Sequence, residues 1–171
     1  MNDANPGAVR RIVMAPDSAR TIRRTVTEAD DGAETGGILL GRVEDDGTAH
    51  VRQAGTPGPA AIRTPNYFLR DLAHAQHLAE AAFRTDGSIW IGEWHTHPRA
   101  DAVPSPRDLL TYSTLLADPA LAFDVVLAIV IGPLLPAATT RVVGWACTTT
   151  GVTAVPVESE VLLIPEELRG T

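Results

Sequence analysis

Lysine is absent from this chain of 171 residues, and all fourteen basic side chains are arginine. The chain therefore offers no side-chain amine for isopeptide attachment, a bias that genomic base composition can produce unaided. Cysteine is nearly absent as well. Cys147 stands alone, which excludes an intramolecular disulfide and suits a reducing cytoplasm. It lies in an apolar stretch with no base nearby in sequence and reads as a buried structural thiol. Positive charge is short: fourteen basic residues against twenty-one acidic ones give a net charge of -7. That argues against nucleic acid, whose phosphates call for a basic surface, and suits a partner with a basic tail. Long hydrophobic runs are missing. The stretch 125–136 is too short and too punctuated by proline to cross a bilayer and reads as a buried strand. The polar start at residues 1–6 has no apolar segment behind it and gives no sign of a secretory signal. Internal repeats and low-complexity tracts are lacking too. What remains is an ordinary globular composition, 44% apolar and 20% charged, at a length that suits one domain burying about 70% of its unfolded surface.

The expected organisation is a loose N-terminus over 1–9, one domain over 10–157 and an acidic C-terminal tail over 158–171, whose Val161-Leu162-Leu163-Ile164 should dock on the domain or on a partner. Within the domain a short strand is expected at 11–14. A helix should follow, capped by Asp17 or Ser18, with Ala19, Ile22, Val26 and Ala29 at three- and four-residue steps and a close near Gly32. Residues 34–41 read as a glycine-rich buried strand, and Asp45-Asp46-Gly47 as the turn to its partner at 49–54. The Pro- and Gly-rich stretch 55–67 reads as a surface loop bordering a groove. A helix over 68–84 is expected to bury Phe68, Leu72, Ala75, Ala79, Ala82 and Phe83, with His74 and His77 solvated on its polar side. Further strands are expected at 88–97, 123–131, 140–148 and 152–157. Between the first two of these, Ser105-Pro106-Arg107-Asp108 opens a helix that Asp118-Pro119 stops.

The informative stretch is Trp94-His95-Thr96-His97-Pro98. Residues two apart on a strand share a face, so the imidazoles of His95 and His97 can bind one metal ion, while Trp94 and Thr96 face the other way and pack. Asp108, in the first turn of the next helix, can add a third ligand and leave a fourth tetrahedral position open. A zinc ion with one anionic ligand keeps a net positive charge, can acidify a bound water toward a pKa of about 7, and can polarise a carbonyl. Amide hydrolysis then needs a carboxylate base. Glu34 and Glu93 are the candidates, Glu93 on the histidines' own face but about 7 Å deeper in the sheet. Gly36 and Gly37, having no side chains, let their strand approach another backbone closely. Ser105 suits a helix N-cap, and its hydroxyl proton stays free to donate. Arg99, Asp101 and Arg107 read as solvated charge around the site, in places from which they could also orient substrate.

Glu34 ahead of Gly36-Gly37, His95-x-His97-Pro98, Ser105, and Asp108 ten intervening residues after His97 together resemble the JAMM signature of the JAB/MPN zinc metallopeptidases. The resemblance spans roughly residues 10 to 155. It implies an α/β, JAB/MPN-like (cytidine-deaminase-like) sandwich with a central mixed β-sheet flanked by helices. It also implies one zinc per chain on His95, His97 and Asp108, Glu34 as catalytic carboxylate, and Ser105 assisting zinc at the oxyanion. By resemblance the chain would be a deubiquitinase-like peptidase or isopeptidase, cleaving amides after the tail of a ubiquitin-like protein. Its setting would be a bacterial, antiphage conjugation operon with E1- and E2-like proteins. The missing lysines gain a second reading in that setting, as protection from conjugation. Two other activities fit the family: processing of a ubiquitin-fold sulfur-carrier protein, and a non-catalytic MPN scaffold.

Overall fold

Apolar runs bounded by glycine, proline and Asp-Gly turns become the strands of the protein. The computed structural model describes residues 8–136 and 138–164. In chain order the elements are β1 (Arg11–Met14), α1 (Pro16–Glu28), β2 (Gly36–Val43), β3 (Thr48–Ala54), β4 (Ile62–Thr64), β5 (Tyr67–Leu69) and α2 (Leu72–Asp86). Then follow β6 (Ile89–Thr96), α3 (Pro106–Ala117), β7 (Val126–Gly132), β8 (Arg141–Thr148), β9 (Gly151–Val155) and β10 (Val157–Ser159). Eight strands form one mixed sheet in the order β10-β1-β3-β2-β6-β7-β8-β9, and β4 and β5 form a separate hairpin. The pairs β1–β10, β1–β3 and β6–β7 are parallel, the other neighbours antiparallel. Only Pro156 separates β9 from β10, which lie at opposite ends of that order. The sheet therefore curls until its two edges nearly meet, with Ile12 N–H donating to the Pro156 carbonyl at 2.9 Å.

Helices cover both faces, which is why β7 is buried at every position and apolar without alternation. On one face α1 sets Ala19, Ile22 and Val26 against Ile12, Leu39, Val51, Trp94, Leu127, Ile129 and Ile131. On the other, Ala75 and Ala82 of α2 pack on Ile38 and Leu40, and Tyr112 of α3 packs on Val126, Ala128 and Cys147. The fold is thus an α/β sandwich around a mixed sheet. Among the described residues, no helix is long and apolar enough to cross a membrane.

Several local expectations change. The helix expected from residue 68 begins at Leu72, where Asp71 accepts a hydrogen bond from the His74 N–H at 3.1 Å. Phe68 belongs instead to β5. Pro65 and Asn66 form a two-residue connection between Thr64 and Tyr67, so part of the expected 55–67 loop is the β4–β5 hairpin. The helix's buried stripe shifts accordingly to Ala75, Leu78, Ala79 and Ala82, and Leu72 and Phe83 stay exposed. His74 is not merely solvated, because its Nε2 shares a 2.9 Å hydrogen bond with Thr56 Oγ1. Helix α1 takes Pro16 at its start with no side-chain cap; a proline there has no orphan N–H to satisfy, and Ser18 Oγ donates back to the Ala15 carbonyl at 2.7 Å. Its C-cap is Ala29, and Gly32, at φ 68°, lies in the turn beyond. The sheet also runs past residue 157: β10 pairs with β1, and Leu163 and Ile164 are buried in the main core. Residues 1–7 and 165–171 of the expected termini lie outside the described residues.

One irregularity shapes the site. Leu39 pairs with Gly92 but Leu40 with Trp90, so Ile91 is an extra residue on β6. Such a bulge resets the alternation, placing Trp90 and Glu93 on the same face although they are three apart.

Candidate metal centre

The open end of β6 carries the site. His95 is the penultimate residue of that strand, and His97, just beyond it, still donates its N–H to the Ile131 carbonyl of β7 at 2.7 Å. The strand period therefore holds through both histidines. Both are buried, and their Nε2 atoms lie 3.0 Å apart. Asp108 Oδ2 lies 3.4 Å from His95 Nε2 and 3.3 Å from His97 Nε2. A tetrahedral zinc with bonds of about 2.0–2.1 Å sets its ligand atoms about 3.3 Å apart, so the triangle has the size that ion requires. Among the described residues this is the only such convergence of potential ligands.

Neighbouring groups fix each member. His97 Nδ1–H donates to the Asp101 carbonyl at 3.0 Å, which leaves Nε2 as the nitrogen free to bind a metal. Asp101 thus contributes its backbone, while its side chain is exposed. Ser105 is the N-cap of α3 in a reciprocal box: its Oγ accepts from the Asp108 N–H at 3.2 Å, and Asp108 Oδ2 accepts from the Ser105 N–H at 2.6 Å. The helix cap and the candidate ligand are therefore one carboxylate. Burial would raise the pKa of Asp108, but hydrogen bonds from His95 and His97 outweigh it and hold the carboxyl well below its usual range. Burial works against the charged form of His97, and its contacts with Asp108 and the Asp101 carbonyl reverse that and raise its pKa.

Glu34 lines the same cleft of about 290 Å³. It is held through its backbone. Its N–H donates to the Thr64 carbonyl at 2.8 Å, and its carbonyl accepts from Arg63 Nε at 3.0 Å. Next door, Thr35 N–H donates to Thr96 Oγ1 at 3.0 Å and Thr96 N–H to the Thr35 carbonyl at 2.8 Å, so Thr96 does more than pack. Gly36 is opposite His95, and a Cβ there would sit 2.3 Å from the Trp94 carbonyl oxygen and 2.9 Å from His95 Cβ. Only glycine allows β2 so close to the histidine strand. Burial raises the pKa of Glu34 and the nearby imidazoles offset this in part, a setting suited to a group that takes up and releases a proton.

The other candidates fall elsewhere. Glu93 shares the cleft but is ion-paired with Arg70, each side chain about 15% exposed. Arg107 is exposed yet not simply solvated, because its Cζ lies 4.8 Å from the Tyr67 ring centroid and so joins α3 to the hairpin. Arg99 is exposed. Trp94 is fully buried, its Nε1–H donating to the Gly55 carbonyl at 2.9 Å. Cys147 is buried, which pushes its thiol up to about 11, too high for a nucleophile at neutral pH. Phe68 and Arg70 were not expected at the cleft; the signal for them is the Pro65-Asn66 pair between two short β-prone triplets.

Comparison with known proteins points the same way. A curated protein of Enterobacter hormaechei, named CD-NTase/cGAS isopeptidase, is 32% identical over 118 residues, covering 67% of this chain and 63% of that protein. One of the same name from Pseudomonas aeruginosa is 34% identical over 101 residues, 57% of this chain and 62% of the other. The probable metalloprotease y4qB of Sinorhizobium fredii is 34% identical over 89 residues, 50% and 54% of the respective chains. This chain thus matches less than two thirds of each relative's length. The solution structure of protein DSY2949 from Desulfitobacterium hafniense superposes with a TM-score of 0.63 at 22% identity, over 88% of this chain and 94% of that one, a likeness of fold. The sequence profile described as prokaryotic homologs of the JAB domain matches residues 17–148. With that match covering most of its length, the chain belongs to the prokaryotic JAB-domain family.

Proposed function

We propose that this protein is a zinc-dependent isopeptidase that hydrolyses the amide bond following the C-terminal tail of a ubiquitin-like protein. The observation that carries the reading is the triangle of His95, His97 and Asp108 in a cleft that also holds Glu34, a carboxylate outside the triangle. A zinc ion bound there would acidify water and polarise the scissile carbonyl. His95, His97 and Asp108 hold the site with one negative charge among them, and the capping box keeps Asp108 from turning away. Glu34 removes a proton from the attacking water and returns it to the leaving nitrogen. The Ser105 hydroxyl, whose oxygen is engaged by the Asp108 N–H, keeps its proton for the oxyanion. The name of the Enterobacter and Pseudomonas relatives supports an isopeptide substrate, with a CD-NTase/cGAS-like protein as the acceptor. The setting is cytoplasmic, and conjugates made by E1- and E2-like proteins supply the substrate.

The test is cleavage of a fusion between a ubiquitin-like protein and a reporter. Hydrolysis at the tail junction that stops with a chelator and returns with zinc supports the reading; intact fusion under all conditions overturns it. Ser105→Ala separates the two duties of that residue. The loss of the cap should cost about 1 kcal/mol of stability, whereas the loss of an oxyanion donor should lower turnover about 100-fold at temperatures well below unfolding. Thermal melts and initial rates measured on the same sample check both. A fall in melting temperature with unchanged turnover would leave the serine as a cap alone.

A further inference from the structure

Arg70 stands where β5 gives way to α2. Its side chain is 16% exposed and lines the cleft with Glu34, His95 and His97. Its Nη2 donates to Glu93 Oε2, and its Cζ lies 5.3 Å from the centroid of the Trp90 ring. The bulge at Ile91 makes this possible by putting Trp90 and Glu93 on one face. Ion pair and ring together fix the guanidinium plane without filling its bonding capacity. Arginine carries five N–H donors. Nε is buried with no acceptor, and among the described residues Glu93 alone accepts from the group. A buried ion pair with donors left over is a poor stabilising device, because desolvation is incompletely offset. It is a good preorganised donor for a ligand.

Resting on the peptidase reading, we propose that Arg70 is a substrate-binding residue whose spare amino group donates to a backbone carbonyl of the substrate about two residues from the scissile amide. The spacing follows from the strand: Glu93, which holds Arg70, is two residues from His95 on the same face, about 6.6 Å, the length of two residues of extended peptide. Glu93 already neutralises Arg70, so its remaining donors need no anionic partner, and the neutral carbonyls of an extended peptide can satisfy them.

The test uses two aminocoumarin amides, one acylated with the last four residues of the ubiquitin-like tail and one with the final residue alone. Arg70→Met/Glu93→Gln removes the donors without leaving a buried charge. It should lower kcat/KM for the tetrapeptide about 30-fold, chiefly through KM, and change the single-residue substrate less than about threefold. Arg70→Lys, which keeps a cation beside Glu93, serves as the second variant and should recover part of the loss. Binding of the free tetrapeptide to zinc-loaded Glu34→Gln, with and without the double change, should weaken by a similar factor while zinc content stays constant. Equal losses on both substrates, or no loss on either, would overturn the assignment of Arg70. Failure of the unaltered chain to cleave either substrate would instead overturn the peptidase reading.

Discussion

Glu34→Gln should lower turnover about 10³-fold and leave zinc content at one ion per chain. The two halves of that result separate a base from a ligand. Glu34 lies outside the triangle of His95 Nε2, His97 Nε2 and Asp108 Oδ2, so an amide in its place removes proton transfer without removing a metal contact. Its backbone is held by Thr64 and Arg63, and Thr35 is clamped to Thr96, so glutamine should occupy the same place. Burial that raises the glutamate's pKa favours a neutral side chain there, so the substitution should be tolerated by the fold. Zinc content by atomic absorption and initial rates on the fusion substrate check the prediction. Full activity in Glu34→Gln would move the base to Glu93, whose carboxylate is tied to Arg70.

The second large effect is expected of His97→Ala, which should abolish both zinc retention and turnover. Losing one of three protein ligands should weaken zinc binding by more than about 100-fold, beyond the range typical of changing an outer partner of a metal site. The fold should survive. The β6–β7 pairing at this position runs through the backbone, His97 N–H to the Ile131 carbonyl, and does not involve the imidazole. The change also takes one donor from the Asp101 carbonyl, which still accepts from the Val103 N–H at 2.8 Å and lies in an exposed loop open to water. Dialysis against a weak chelator followed by metal analysis, beside circular dichroism, distinguishes loss of the ion from loss of the fold. A variant that keeps zinc and rate would remove His97 from the site.

The candidate ligands were legible because each rests on a local rule. The two-residue period of a strand aligns His95 with His97, and Ser105-Pro106 marks a helix start that puts Asp108 at N3 whatever surrounds it. Gly36 was legible as a close approach, though not which backbone it approaches. What escaped depends on partners distant in sequence. The bulge at Ile91 leaves no mark in the composition of β6, since it arises from how β2 is laid against it. The return of β10 to β1 involves three residues, too few for periodicity to reveal. The start of α2 was placed four residues early because Phe68 falls in step with Leu72 and Ala75, and the pairing of Tyr67 with Thr64 overrides that local pattern. Arg70, read as one more helical residue, consequently went unnoticed beside Glu93.

The proposed activity requires two imidazoles and one carboxylate to share a divalent cation with a position left open toward Glu34. Anomalous diffraction at the zinc edge, from crystals of the zinc-loaded chain, tests it most directly. One peak per chain is expected about 2.0–2.1 Å from His95 Nε2, His97 Nε2 and Asp108 Oδ2, with no fourth protein ligand. A peak elsewhere, no peak at the triangle, or a fourth side chain closing the coordination sphere would contradict it.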